Sequence, residues 1–443
     1  MLKLFFLLLI FCFCVTSYSQ EKPVLVVLTD IGGDTDDEQS MVRLLMYSDM
    51  LDIRGFCITS RLGHGQDTKP EIMYNQIEAY RKVYPNLKLH SNGFPEPDYL
   101  ASVVRVGQGD QFTFGEGKDT EASDHIIKVV DESVSLVHIA IWGGQRELAQ
   151  ALWKVKNTRS SEQISAFCKK IQVHAIGDQD KHRDWIIQNF RDIRYIASGF
   201  VFTGNFGIRE ISVFRGMYMT GDVSMQQGDW VRANIHSYGP LGECYQLHGH
   251  GTNGMKEGDT PSFLGLIGNG LNVPDKPEWG GWGGRFRLLN NSLYIDAQDF
   301  LKGVLNERHT VSRWRTAFQS DFMARMRWCT ESYDNANHNP VVVVNRKQDS
   351  KPLFIRARAG EQVLIDASGS NDPDGDALSF NWFVYDEISY AGCIPFEQID
   401  SGKKLALSVP GNLSGISFHL ILEVTDDGTP SLVTYKRVII EVQ

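Results

Sequence analysis

The stretch TDIGGDTDDEQS, residues 29–40, places Asp30, Asp34, Asp36 and Asp37 within eight positions, with Glu38 directly behind. Carboxylates this close repel one another. The stretch follows PVLVVL (23–28), an apolar run of strand length that suits a strand buried on both faces of a parallel sheet. Behind it, MVRLLMYSD (41–49) carries apolar residues at helical spacing. The acidic run therefore falls on a strand-to-helix turn. Asp34 or Thr35 can cap the helix, and acids in a first turn suit its dipole. Capping uses one or two carboxylates, not four. A hard-cation site uses them all, because carboxylate oxygens favour Ca²⁺ or Mg²⁺ and a divalent ion cancels the repulsion. The Gly32-Gly33 turn lets successive carboxylates point inward. Calcium is the cation expected, since several protein oxygens crowd one ion.

Outward from this turn, IRGFCIT (53–59), VSLVHIAIW (134–142) and KIQVHAIG (170–177) read as further strands. QRELAQALWKV (145–155) and HRDWIIQNF (182–190) read as helices. Strands alternating with helices imply an α/β domain built on a mostly parallel sheet with helices on both faces. Ligands of such sheets sit at the carboxyl ends of the strands, where Asp30, Thr59, Trp142 and Asp178 lie. Composition shifts near residue 330. DNANHNP (334–340) reads as a linker, and seven short alternating runs follow: VVVVN, FIRARA, QVLIDAS, LSFNWFVYD, KLALSV, SFHLILEVTD and TYKRVIIEV. They predict an all-β sandwich of immunoglobulin type.

The amino terminus carries Lys3, the apolar run LFFLLLIFCFCV and then TSYSQE, the pattern of a secretory signal peptide cleaved near Ser19 or Gln20. Cys12 and Cys14 lack the small-residue context of a lipoprotein site. No later stretch reads as a membrane helix, so a secreted or periplasmic protein is expected. The expected division is a signal peptide over 1–19, an α/β domain over 20–333 and a β-sandwich over 334–443. A net charge of −10 without a basic run argues against nucleic-acid partners. The remaining cysteines, Cys57, Cys168, Cys244, Cys329 and Cys393, are odd in number and widely spaced. That is neither a disulfide scaffold nor a zinc pattern, and one or two bridges stay open. A homo-oligomer is equally left open.

The strand ending in TDIGGDTDDEQS resembles the signature of the nucleoside hydrolase superfamily, where Asp-Thr-Asp-Pro-Gly leads to an Asp-Asp pair at a helix start. Asp36 and Asp37 match the pair. Asp30 matches the aspartate before Pro-Gly, and two extra turn residues let Asp34 compete with it. The resemblance implies that the pair holds calcium and that Asp30 or Asp34 activates a calcium-bound water for attack on an anomeric carbon. AIWGGQRELAQAL (140–152) resembles the family segment whose backbone carbonyl reaches the ion, at Arg146 here. EGDTPSF (257–263) resembles the segment with the last calcium aspartate, which would be Asp259. Together with AIGDQD (175–180) and PEWGGWGGRF (277–286), these motifs look closest to secreted proteins described as cellulose-binding. Those proteins join a nucleoside-hydrolase-like domain to an immunoglobulin-like one.

The chain also departs from the family. Gly258 stands where the family has a histidine that protonates the leaving base, and Glu257, His248 or His250 are the substitutes nearby. Asn205 in FTGNFG and Asp178 and Asp180 in IGDQD are loose matches to the sugar-binding segments. The expected function is a calcium-dependent hydrolase of a glycosidic bond in a furanoside or plant-wall carbohydrate. The alternative is a non-catalytic cellulose- or polysaccharide-binding protein that keeps the fold. The expected partner is accordingly a carbohydrate, a nucleoside-like small molecule or a polysaccharide. Trp279 and Trp282 lie in a glycine-rich loop, where they either stack on sugar faces or plug the core. His64 and His248 lie where they would line the cleft. In the carboxyl-terminal module, Asp372, Asp374 and Asp376 alternate around Gly375, as in a structural calcium loop or a plain Asx-rich turn.

Overall fold

The computed structural model describes residues 21–60, 67–110, 112–200, 211–248, 253–389 and 394–443. The amino-terminal stretch 1–19, His64, Asn205, His250 and Cys393 lie outside them.

The acidic turn leaves the end of β1 (Val24–Thr29), a strand buried along its whole length. Its neighbours in an eight-stranded sheet are β2 (Asp52–Ile58) and β4 (Val137–Ile141), both parallel to it. The sheet extends outward from β2 to β3 (Val104–Val106). On the other side it runs through β5 (Ile171–Ile176), β6 (Arg194–Ser198) and β8 (Leu293–Asp296) to β7 (Phe286–Asn290). Only β7 runs antiparallel, at the edge. The order β3-β2-β1-β4-β5-β6 reverses direction between β1 and β4. At such a switch point the connections leave to opposite faces and a crevice opens beyond the strand ends. The aspartate turn stands at that crevice.

Helices cover both faces. α1 (Thr35–Met46), α2 (Pro70–His90), α3 (Glu121–Glu132), α4 (Arg146–Thr158), α5 (Ser161–Cys168) and α6 (Arg183–Asn189) connect the parallel strands. α7 (Arg315–Arg327) packs on α1. Two hydrophobic cores result, one on each side of the sheet: alternate residues Leu25 and Val27 of β1 enter one, and Val24, Val26 and Leu28 the other. A hairpin of β9 (Asp299–Leu301) and β10 (Val304–Asn306) follows the sheet.

The carboxyl-terminal module is an all-β sandwich. One sheet has the order β11 (Leu353–Ala357), β17 (Val433–Val442), β16 (Ile416–Thr425), β13 (Ser379–Val384). The other has β12 (Gln362–Asp366), β15 (Lys404–Ser408), β14 (Phe396–Ile399). All pairs are antiparallel except β11 with β17. The run VVVVN forms no strand; Val341 and Val344 make isolated bridges only. Cys57, Cys168, Cys244 and Cys329 are free thiols, so no bridge links them.

Candidate functional site

The turn after β1 closes where Gly33 N donates to the Asp30 carbonyl at 3.0 Å. Gly32 takes a positive φ of 87° there, which costs glycine nothing. Asp34 then caps α1, its carboxylate accepting from Thr35 N at 2.8 Å. Asp36 and Asp37 follow in the first helical turn, and Thr29 Oγ1 donates to Asp37 at 2.5 Å. Asp30 faces the end of β4: a Cβ on Gly143 would collide with Asp30 Oδ1, so only glycine fits beside it.

Asp259 arrives from a distant loop that α1 itself fastens. Gln39 Nε2 donates to the carbonyls of Gln246 at 2.5 Å and Gly254 at 2.9 Å. Its Oε1 accepts from Lys256 N at 2.7 Å and Glu257 N at 3.1 Å. On the far side Ser262 Oγ donates to the Asp259 carbonyl at 2.6 Å and accepts from Trp142 Nε1 at 2.9 Å. The loop is thus held to α1 and to the end of β4 together. Asp36, Asp37 and Asp259 each bring one oxygen to a point where all three lie within 4.8 Å of one another.

This arrangement is electrostatically unfavourable by itself. Burial, and then the charges of Asp30 and Asp36, push the Asp37 carboxyl well above its usual range. Burial and the charges of Asp37, Asp36 and Asp30 do the same to Asp259. Asp259 Oδ2 is buried without a hydrogen-bond partner among the described residues. Lys256 supplies compensation: its ammonium bonds the Asp34 carboxylate and lies 3.2 Å from Asp36 Oδ2. Burial would raise the Asp34 carboxyl, but Lys256 holds it below the usual range. Convergent hard oxygens, a buried oxygen without a donor and an excess of negative charge fit a hard divalent cation.

Two family models match the chain. "Cellulose-binding Sde182, nucleoside hydrolase-like domain" covers residues 24–286, and "Cellulose-binding protein Sde0182, C-terminal domain" covers 362–442. The chain belongs to this cellulose-binding, nucleoside-hydrolase-like family. A Saccharophagus degradans protein described as nucleoside hydrolase-related and associated with carbohydrate metabolism is 34% identical, with a TM-score of 0.82. The match covers 96% of this chain and 100% of that one. The effector protein XOO4466 (9% identity, TM-score 0.40, 70% of this chain and 95% of that one) and the type III effector XopQ (8%, 0.39, 70% and 96%) are too distant to carry an argument. No curated protein matches the chain in sequence.

Within this family frame, Asp30 and Asp34 take different places. Asp30 is buried beside the cluster, whereas Asp34 is occupied as a helix cap and Lys256 partner. Arg146 opens α4, and its buried side chain turns to Thr113, Glu147, Gln108 and Lys118. Glu257 is no substitute acid. It is sealed against Arg43, with Nε at 2.5 Å and Nη2 at 3.0 Å, and accepts from Tyr245 and Thr260 as well. His248 stands at the rim, its Nδ1 3.0 Å from Thr35 Oγ1. Asp178 accepts from Gln145 Nε2 at 2.8 Å and Arg183 N at 3.2 Å at the end of β5. Asp180, buried beside it, has its carboxyl pushed up to about 7, mainly by burial.

Trp282 turns into the core, whereas Trp279 stays half-buried. Trp282 is 1% exposed and edge-on to Phe318 and Tyr435, so it offers no sugar platform. Trp279 packs edge-on against His419 at 4.8 Å, in the seam with the β-sandwich. Glycines let this loop fold inward rather than project. In the module, Asp372 Oδ1 accepts from Asp374 N at 2.8 Å and Asp376 N at 3.2 Å, while the Asp374 carboxylate bonds His338. These are the hydrogen bonds of an Asx-rich turn, and Asp372 Oδ2 is buried without a hydrogen-bond partner among the described residues. Asp372, Asp374 and Asp376 form no three-carboxylate group of the kind made by Asp36, Asp37 and Asp259 among the described residues. Lys256 and Gln39 were not foreseen. Nothing in MKEGDT or DDEQS sets them apart until the two segments meet.

Proposed function

We propose that the chain is an extracytoplasmic, calcium-dependent hydrolase of a glycosidic bond, acting on a furanoside or plant-wall carbohydrate. The convergence of Asp36, Asp37 and Asp259 at the switch point of the sheet, with Asp30 buried beside them, carries this reading. Oxygens within 4.8 Å of one another fit inside a calcium coordination sphere, about 5 Å across. A divalent cation bound there supplies orientation and acidification of a water molecule. Asp30 is the proposed acceptor of the attacking water's proton, since Asp34 is engaged by Thr35 N and Lys256. The carbonyl of Arg146 is a further proposed contact to the ion.

A second reading has its own observation. At Gly258 a Cβ would lie 3.1 Å from Asp36 Oδ2, where the resemblance places an acid, and neighbouring Glu257 is consumed by Arg43. Glycine in place of that acid suits a polysaccharide-binding protein that retains the fold, or a substrate with a good leaving group. Loss of a general acid costs on the order of 10²- to 10⁴-fold in rate. Incubation with furanosides, nucleosides and plant-wall oligosaccharides, with and without EDTA, decides. Cleavage abolished by EDTA and by Asp37→Ala supports the hydrolase. Cellulose retention with no cleavage of any substrate supports the binding protein and removes the catalytic assignment.

A further inference from the structure

Lys256 is anchored from both ends. Its backbone N–H is held by Gln39, and its ammonium reaches the carboxylates of Asp34 and Asp36. Only 18% of the side chain is exposed. A lysine this enclosed loses hydration, a penalty met here by the two carboxylates. Its charge also acts on Asp37 and Asp259, so among the described residues it touches the electrostatics of every carboxylate in the cluster. Asp36 is shared: Lys256 and the three-oxygen group both use it.

We propose that Lys256 is the resident counter-ion of the acidic site, supporting the cluster before loading and restraining the affinity for the incoming divalent cation. The inference rests on the reading that Asp36, Asp37 and Asp259 hold such a cation. The two effects have opposite signs, and both follow from one charge. Without the ion, an ammonium beside crowded carboxylates offsets their mutual repulsion and stabilises the fold. With the ion, the same ammonium repels a second cation a few ångström away and draws electron density from Asp36. A side chain that merely packs the loop gives no such inversion, since loosening the loop weakens stability and affinity together.

The test uses the full chain stripped with EDTA, calcium titration calorimetry and thermal unfolding with and without calcium. Lys256→Met is expected to lower the calcium-free melting temperature by about 2–4 °C. It is also expected to tighten calcium binding about tenfold, so that calcium raises the melting temperature more than in the wild type. Lys256→Arg, which keeps the charge, is expected to restore wild-type behaviour in both measurements. Should Lys256→Met not fold without calcium, Lys256→Gln keeps the polarity and carries the same expectations. Unchanged or weaker calcium binding in the neutral variants overturns the role given to Lys256 while leaving the metal site standing. A flat calcium titration of the wild type overturns the metal reading itself, and the inference with it.

Discussion

At the residue scale, identical side chains acquire different chemistry from their surroundings. Asp34 and Asp30 are four positions apart, yet one caps a helix beside an ammonium and the other is buried against a glycine. Gly143 defines the second environment. Gly143→Ala would force a methyl group into Asp30 Oδ1, and overpacking of this kind costs about 1–3 kcal/mol. Urea unfolding should show that loss. Calcium affinity should hold within a few-fold, because the atoms nearest to the added methyl group all belong to Asp30. Any hydrolytic rate should fall about 10²-fold, as expected when a base is displaced by about 1 Å. Full activity in the Gly143→Ala variant would remove Asp30 from the mechanism.

At the element scale, α1 does more than follow β1. Its amino-terminal turn presents Asp36 and Asp37, and one turn on, Gln39 makes four hydrogen bonds to the loop that carries Asp259. At about 0.5–1.5 kcal/mol for each hydrogen bond, Gln39→Ala should cost roughly 3 kcal/mol. It should also weaken calcium binding, since Asp259 loses its register against the helix. Calorimetry that finds wild-type affinity in this variant would show that the loop is positioned by Ser262 and Trp142 instead. The elements were legible where periodicity is strong: β1, β2, β4 and β5 fall within a few residues of the apolar runs, as β1 at 24–29 does against 23–28, whereas the parallel strands β3, β6 and β8 were not read from the sequence. VVVVN failed because valine favours extended backbone with or without a partner strand, and here only isolated bridges form. β14 was missed because FEQI is short and largely exposed.

At the scale of the whole molecule, the β-sandwich is built into the α/β domain. Tyr435 N and Arg437 N on β17 donate to the carbonyls of Asn269 and Gly270, extending a strand edge across the seam. Arg437, fully buried, gives Nη2 to Leu271 O at 2.8 Å and Gly280 O at 2.9 Å. Tyr385 bonds Asp299 at 2.6 Å, and Arg313 bridges Asp299 and Glu387. Arg437→Met should strand the carbonyls of Leu271 and Gly280 and cost about 2–4 kcal/mol. The wild type should unfold in one cooperative transition followed by fluorescence of Trp282 and Trp314, both at the seam. Two separate transitions in the wild type would show the modules to be energetically independent. No helix among the described residues is long and apolar enough to cross a membrane.

Family resemblance alone linked Asp259 to the turn; the sequence by itself determined the strand-to-helix turn, the α/β and all-β halves and the crowding of Asp30, Asp34, Asp36 and Asp37. Those features rest on local periodicity, on backbone preference and on the cost of crowding like charges. Tertiary structure alone decided that Trp282 serves the domain seam, that Glu257 is spent on Arg43 and that Lys256 faces the cluster. Each of these depends on which distant segments meet when the sheet closes. Side-chain identity fixes what a group can do, but only packing fixes its neighbours, and the neighbours set charge, burial and reach.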